Sequence, residues 1–441
     1  MINEAQFSRP GANFKQDAPL SPDLKELASL LPGDDDPGRK RYRAGTHRVC
    51  SPTVTLAKLS PRLAEFGITR VADITGLDRI GIPVAVAIRP NSRNLSVSQG
   101  KGLKPAAAAV SAVMESIELE HAESIRLPRR FGCYASLVRE LPLIEMEDLP
   151  FAAGREWTPE TPIFWIEGFD LLQRQPVWLP FELVHADASL PWPPSSGFFQ
   201  ANSNGLASGN ILLEAVSSGL CEVIERDAIA LWQLRPDAER DATRLALAGA
   251  GDAGGRLLLE RFAAAGIDVT AWDLAGDAGV PVFRCMICER REDRLHFGYY
   301  ALGMGCHPDR GVAFSRALTE AAQSRLTFIA GSRDDVFREE YLRLRDPDWK
   351  RFRFRHLRPG AGERDFRAAP HWRASSLRQD VAWLLARLRD LGVARVVAVN
   401  LSRPGSDIFV VKMVVPGLEG CHFDPHYRPG RRARRAQERA T

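Results

Sequence analysis

The sequence predicts a mixed fold of helices and sheets, of the α/β or α+β class. Two almost continuous apolar runs, residues 82–88 and 393–401, are typical of buried strands. Apolar residues recur at helical spacing in longer segments. Those segments are 105–124, 211–235, 254–265, 314–330 and 378–391. A repeat of about 20–50 residues is missing from the sequence, which argues against a solenoid.

The chain divides by composition into three parts. Residues 1–39 are rich in proline, glycine and aspartate, so we predict a flexible N-terminal extension. Residues 40–420 lack a long low-complexity linker and are expected to form one body. Residues 421–441 form a basic tail, in which 428–441 carry six arginines and one glutamate. We predict that this tail is disordered and dispensable; nucleic acid is a weak candidate partner because residues 428–441 contain no aromatic side chain to stack on bases.

Composition restricts the class of protein. The 441 residues are 45% hydrophobic and 26% charged, as in globular proteins. No run approaches the roughly 18 apolar residues of a membrane helix, and the first residues lack the apolar centre of a secretory signal. Seven cysteines, an odd number, fit reduced thiols better than a disulfide framework. We therefore expect a cytoplasmic protein without a membrane partner.

Two helical segments carry the same polar pattern, a serine followed by glutamates four and seven residues later. The two sets are Ser111, Glu115 and Glu118, and Ser218, Glu222 and Glu225. At about 100° per residue, each set lies on one helix face. Carboxylates at this spacing repel one another unless a cation or an arginine lies between them, and Mg²⁺ prefers such oxygen ligands. A solvated face with arginine partners would explain one set, but the repetition indicates a magnesium site in which the four glutamates are the ligands.

Other segments add groups that could bind phosphate. Glycine-containing turns at 96–102, which includes Lys101, and at 202–210 precede the two glutamate helices. Such turns present N–H groups to anions, although most only cap helices, and neither is a Walker A loop. A third helix places Arg316, Glu320 and Gln323 on one face.

Seven segments resemble, in order, those of the YcaO family of ATP-dependent peptide-modifying enzymes. They are 77–90, 96–102, 111–120, 204–210, 221–228, 318–326 and 410–419. The resemblance implies a YcaO fold of several α/β sub-layers, with ATP and magnesium held between the two glutamate helices. It also implies phosphorylation of a backbone amide oxygen in a substrate peptide. A neighbouring side chain that then attacks the activated carbon gives an azoline, whereas external sulfide gives a thioamide.

The same resemblance implies a set of cofactor-binding residues, but it does not assign a catalytic one. The set comprises Ser111, Glu115, Glu118, Glu222 and Glu225, with Arg226, Glu320, Gln323, Arg325 and Lys101 beside them. Arg325 lies about 140° around its helix from Glu320, so a structural role is an alternative for it. A phosphate contact is expected among the cations of residues 38–48, where Lys40 and Arg48 are favoured over Arg39, Arg41 and Arg43.

The expected product follows from a departure from the family pattern. Azoline-forming members end in a proline-rich P-x-P-x-P tail, whereas this sequence ends in arginines. The chain therefore looks more like members that act with a TfuA-type partner, and we expect thioamide formation on a ribosomal precursor peptide. An azoline-forming cyclodehydratase and a non-catalytic accessory protein stay as alternatives, and a homodimer is left open.

A zinc site is a competing interpretation. Cys285 and Cys288 form a C-x-x-C pair, which Cys306-His307 and Cys421-His422 could complete. The apolar residues around the pair predict a strand, on which residues three apart point to opposite faces. We therefore do not expect zinc there.

Overall fold

Antiparallel sheets packed against long helices make up the fold. The computed structural model describes residues 20–31, 37–193, 195–290, 300–343, 362–420 and 427–440. All strand pairs within its three sheets are antiparallel. The mixed fold that the sequence predicts is confirmed, and the antiparallel pairing places it in the α+β class.

The sheets differ in size and strand order. The first contains β1 (Arg70–Asp73), β2 (Val84–Ile88) and β3 (Val97–Lys101), in that order. The largest contains β4 (Arg129–Cys133), β5 (Pro162–Asp170), β6 (Gln175–Pro180), β7 (Leu206–Gly209), β11 (Val397–Asn400) and β12 (Phe409–Val414). Its order is β4-β5-β11-β12-β7, with β6 also paired to β5. The remaining sheet contains β8 (Ile267–Asp273), β9 (Val282–Glu289) and β10 (Ala301–Cys306), in the order β10-β9-β8.

Eleven α-helices are present in the described residues, and most of them lie between strands in the chain. They are α1 (Pro22–Ala28), α2 (Pro52–Leu59), α3 (Pro105–Glu123), α4 (Tyr134–Leu137), α5 (Leu212–Gln233), α6 (Asp237–Ala242), α7 (Ala253–Ala264), α8 (Arg310–Ala330), α9 (Arg338–Arg343), α10 (Leu377–Asp390) and α11 (Arg431–Ala440). Short 3₁₀ helices span Ser60–Phe66, Thr75–Leu77, Phe181–Leu183 and Phe366–Ala368.

Local sequence explains where the long helices begin and end. Pro105 opens α3, where its fixed φ suits the first turn. The Asp309 carboxylate accepts a hydrogen bond from the Gly311 N–H at the start of α8, and Gly331 ends that helix at a positive φ. Ser376 and Gln379 form a reciprocal capping box at the start of α10.

Two glycines let helices lie directly on strands. A Cβ atom on Gly100 of β3 would overlap the backbone of Ala108 and Ala112 in α3. A Cβ atom on Gly303 of β10 would overlap the backbone of α8 in the same way. This close approach fixes the positions of α3 and α8 relative to their sheets.

Helix α1 differs from the predicted N-terminal extension. Leu24 and Leu27 keep only 5% and 1% of their surface exposed and lie in a core shared with α5 and α10. The prediction of a flexible extension is therefore wrong over residues 20–31. Proline-rich composition concealed a short helix capped by Ser21. Residues 1–19 and 32–36 of that extension lie outside the described residues.

The basic tail also differs from its prediction, because residues 431–440 form α11. The Arg432 guanidinium donates to both oxygens of Asp227 in α5, at 2.9 and 3.0 Å, and to Asp277 at 2.8 Å. Ala433 is buried, and its N–H donates to the Glu419 carboxylate at 2.8 Å. The expectation of disorder is wrong here, since the buried acids Asp227 and Glu419 bind the helix. Residues 421–426 and 441 lie outside the described residues.

We expect the Arg432–Asp227 pair to matter for stability. Arg432→Met leaves the Asp227 carboxylate buried without its guanidinium, which should lower the free energy of unfolding by about 3 kcal/mol. Arg435→Met is the matched control, because Arg435 is exposed on the same helix. Urea denaturation at neutral pH measures both, and equal midpoints for the two variants would contradict the docked position of α11.

Candidate active site

A cavity of about 750 Å³ opens between α3, α5 and α8. The turn before α2, the end of β3 and the loop that leads into α5 complete its walls. Cavities of this size hold a nucleotide-sized ligand with room to spare.

The structure brings most of the sequence-predicted site residues to this cavity. Its lining includes Ser111, Glu115 and Glu118 from α3, Ser218, Glu222, Glu225 and Arg226 from α5, and Glu320 and Gln323 from α8, together with Lys101 and Arg48. The opposite face of α3 places Val113 and Ile117 in the core, fully buried. Helical periodicity therefore separates a polar cavity face from an apolar core face, as the sequence pattern predicts.

The glutamates of the cavity hold protons more tightly than free glutamate does. Burial raises the pKa of Glu115 to about 7, although the charges of Arg333 and Lys101 oppose the shift. Burial raises the pKa of Glu118 to about 8, even though the Ser208 hydroxyl donates to its Oε1 at 2.6 Å. Burial and the neighbouring Glu320 carboxylate raise the pKa of Glu225 to about 7. These shifts reflect burial first, and neighbouring carboxylates add to them.

Glu320 differs from the other acids because cations already surround it. Burial would raise its pKa, but the Lys101 ammonium and the Arg226 guanidinium outweigh burial and lower the pKa. Lys101 forms an ion pair with Glu320, and the Met304 N–H donates to the carboxylate at 3.2 Å. Helix α8 thus presents to the cavity an acid whose charge is already balanced by cations.

The remaining acids have a donor chemistry that fits Mg²⁺. Arg226 lies 3.7 Å from Glu222. Within the described part of the chain, Glu115, Glu118 and Glu225 have no basic side chain within 4.0 Å. Four hard carboxylate groups on two facing helices suit a magnesium ion that also binds phosphate oxygens. The residues present therefore fit the predicted cofactors.

Several cavity residues were missed by sequence reasoning. Glu214 is fully buried and accepts hydrogen bonds from the N–H groups of Val49 (2.6 Å) and Asn210 (2.8 Å). It therefore ties two loops of the cavity wall to the start of α5. A signal was present, since Glu214 lies four residues before Ser218 and extends the same polar face. Arg333 also lines the cavity, but it follows α8 without a motif that marks it.

Two predicted site residues lie elsewhere. The Arg325 guanidinium is buried between Asp78 (2.8 Å) and Glu289 (2.7 Å), so its role is structural. The Lys40 ammonium is 2.6 Å from Asp380 Oδ2 and does not line the cavity. The structure therefore does not bring these two residues to the cavity, because acids distant in sequence pair with both cations in the protein interior.

The C-x-x-C pair lies on a strand, as predicted. Cys285 and Cys288 are buried on β9, and Cys285 packs in a core cluster with residues of α8. Burial raises the pKa of the Cys285 thiol, which disfavours the thiolate that zinc requires. Cys421 and His422 lie outside the described residues.

Comparison with known proteins identifies the class. A family model described as YcaO cyclodehydratase, ATP- and Mg²⁺-binding, matches residues 99–419. The chain therefore belongs to the YcaO family, which confirms the resemblance and, at the level of the family, the predicted cofactors ATP and Mg²⁺.

Two uncharacterised relatives cover nearly the whole chain. A protein from the tfuA 3′ region of Rhizobium leguminosarum bv. trifolii is 38% identical over 405 residues, 90% of this chain and 93% of that protein. A protein of Methanothermobacter thermautotrophicus is 35% identical over 408 residues, 87% of this chain and 97% of that one.

Solved structures show the same fold. YcaO from Methanopyrus kandleri, bound with AMPPCP and Mg²⁺, has a TM-score of 0.68 at 24% identity and covers 89% of this chain and 98% of that one. A heterocyclase in complex with substrate and cofactor has a TM-score of 0.71 at 22% identity. That match covers 93% of this chain but 57% of the heterocyclase, so the chain spans just over half of its length.

Among the described helices, none combines the length and the apolar character that crossing a bilayer requires.

The raised pKa values predict how pH affects the metal-free protein. The pKa values of Glu115, Glu118 and Glu225 are about 7, 8 and 7, against 4.5 for ordinary glutamate. At these groups the folded state binds more protons than the unfolded state. Stability should therefore fall as the pH rises from 6.5, where the buried histidines are neutral, to 8. Mg²⁺ held by the ionised carboxylates should raise the melting temperature more at about pH 8 than at about pH 6.

Thermal melts in EDTA and in Mg²⁺ across this range test both statements. A Glu118→Gln variant should show a shallower pH dependence in EDTA. A melting temperature that rises with pH in EDTA, or that Mg²⁺ does not change, would contradict the assignment.

Proposed function

We propose that this protein uses ATP and Mg²⁺ to activate a backbone amide during modification of a ribosomal peptide. The observation that carries the proposal is the pair of glutamate sets on α3 and α5, which line one cavity. Membership of a family described as ATP- and Mg²⁺-binding supports it.

The cavity residues divide into two groups by charge. Glu115, Glu118, Glu222 and Glu225 would hold Mg²⁺, whose charge neutralises phosphate oxygens during phosphoryl transfer. The cations that line the same cavity are Arg48, Lys101, Arg226, Arg316 and Arg333. Their charges suit the nucleotide phosphates, and Ser111 and Gln323 add hydrogen-bonding groups.

The proposed reaction consists of two successive substitutions. The amide oxygen forms a bond to the γ-phosphorus of ATP while the bond from that phosphorus to the β–γ bridging oxygen breaks, and ADP leaves. A nucleophile then adds to the amide carbon, and the C–O bond breaks as phosphate leaves with the original oxygen. Positioning and charge stabilisation supply most of the catalysis in such transfers.

We propose sulfide as the nucleophile, delivered by a TfuA-like partner, so that the product is a thioamide. The support is the similarity to a protein from a tfuA region, which extends over 90% of this chain.

Azoline formation is the second candidate. The description of the family model as a cyclodehydratase and the fold shared with a heterocyclase favour it. In that reaction a side chain of the peptide attacks the activated carbon and water is lost overall.

Removing one carboxylate from each helix tests the nucleotide site. Glu115→Gln and Glu222→Gln should each weaken binding of Mg²⁺·ATP by roughly tenfold or more, because bonds to charged groups contribute about 1.5–3 kcal/mol. Glu120→Gln is the matched control, since Glu120 is on α3 but pairs with Arg403 away from the cavity. Calorimetric titration measures the affinities, and unchanged binding in both cavity variants would refute the site.

Mass spectrometry of a co-expressed precursor peptide tests the product. Exchange of oxygen for sulfur raises the peptide mass by about 16 Da, whereas ring closure with loss of water lowers it by about 18 Da; both are atomic-mass sums for the amide activation chemistry. We expect the mass gain only when the TfuA-like partner is present. Loss of water without gain of sulfur would select the azoline reaction instead.

A further inference from the structure

We infer that Lys40 and Asp380 form an internal clamp that positions Arg48 at the cavity. The inference rests on the proposed function, because it gives Lys40 a role through the nucleotide site that it does not touch. Lys40 is thus a positioning residue, not a ligand.

The Lys40–Asp380 pair lies at one end of the turn formed by residues 38–48. The Lys40 N–H donates to the Ser375 carbonyl at 3.0 Å, and the Leu377 N–H donates to the Gly38 carbonyl at 2.8 Å. The Tyr42 and Arg48 backbones exchange hydrogen bonds of 3.0 Å in both directions, which closes the turn. Residues 38–48 are therefore bound to the start of α10 before they reach the cavity.

The other end of the turn faces the nucleotide site. Arg48 lines the cavity with 27% of its side chain exposed, and its Nε lies 3.9 Å from Glu214 Oε2. The next residue, Val49, donates its N–H to the same carboxylate. Lys40 and Glu214 thus hold the turn from opposite ends, and Arg48 is the cation that it presents.

The surroundings of the clamp make its geometry specific. The Lys40 and Asp380 side chains are 1% and 0% exposed, and the charged atoms lie 2.6 Å apart. The rings of His47 and His307 pack edge to face beside them, with centroids 4.8 Å apart. Burial lowers the pKa of His47 to about 4 and that of His307 well below its ordinary value, so both rings are neutral. The Lys40 ammonium and the Asp380 carboxylate are therefore each other's main charge partner, and Arg43 and Asp309 contribute less. A buried pair of this kind can select one arrangement of the chain even where it adds little stability.

A metal ion is the alternative occupant of the cluster. His47, His307 and Asp380 offer ligand atoms within 4.8 Å of one another. The Lys40 ammonium already lies beside the Asp380 carboxylate, and its charge would repel a metal ion. The geometry indicates that the Lys40 ammonium occupies the position that a metal ion would take beside Asp380.

A double-mutant cycle separates positioning from a purely structural role. Lys40→Met leaves Asp380 unpaired and could unfold the chain, so Lys40→Met with Asp380→Asn removes both charges together. In the full-length protein this pair should weaken binding of a non-hydrolysable ATP analogue with Mg²⁺ by about tenfold, and Arg48→Met should have a similar effect. Because the clamp acts through Arg48, all three substitutions together should be no more than about twofold weaker than Arg48→Met alone.

The outcomes are distinct. Two results would overturn the clamp while leaving the nucleotide site intact. One is a triple variant whose loss of affinity equals the product of the losses in the Lys40/Asp380 variant and in Arg48→Met. The other is unchanged binding in the Lys40/Asp380 variant. Unchanged binding in Arg48→Met and in Glu115→Gln would reject the proposed function and the clamp with it. Lys58→Met, at an exposed pair with Asp407, is the control and should bind normally. Stoichiometric zinc in the purified protein that Asp380→Asn removes would assign the cluster to a metal and overturn the clamp.

Discussion

The burial of several carboxylates in one cavity is the constraint around which the rest of the molecule is arranged. The acids of α3 and α5 stay close only because the opposite faces of both helices are fixed in apolar cores. Burial is the main cause of their raised pKa values, and neighbouring carboxylates add to it. Such a site favours a divalent cation, because the charge of the cation stabilises the ionised form of the buried carboxylates.

The rigidity that this requires comes from close contact between helices and strands. Gly100 under α3 and Gly303 under α8 serve the same purpose in two different sheets, since each removes the side chain that would separate helix from strand. Two of the three helices around the cavity are therefore fixed on their sheets. Arg48 comes from a loop that Glu214 holds to the start of α5 through the Val49 N–H.

The sequence was informative wherever function follows local geometry. The spacing of Glu115 and Glu118 fixes their shared face, and no distant contact is needed to predict it. Lys40 and Arg325 could not be placed in this way, because their partners Asp380, Asp78 and Glu289 are far away in sequence. Composition likewise hid α1 and α11, which are ordered by contacts with the body. The twelve residues from Gly38 to Val49 contain both cases, since the predicted residue Arg48 lines the cavity and the predicted residue Lys40 lies in the interior.

The docking of α11 also bears on how the protein is made. Asp227 follows two residues after Glu225 in α5, yet its partner Arg432 is synthesised some two hundred residues later. During translation the Asp227 carboxylate in α5 therefore has to wait for this guanidinium until α11 has been made. Packing of this face of α5 is coupled in this way to the synthesis of a segment some two hundred residues later.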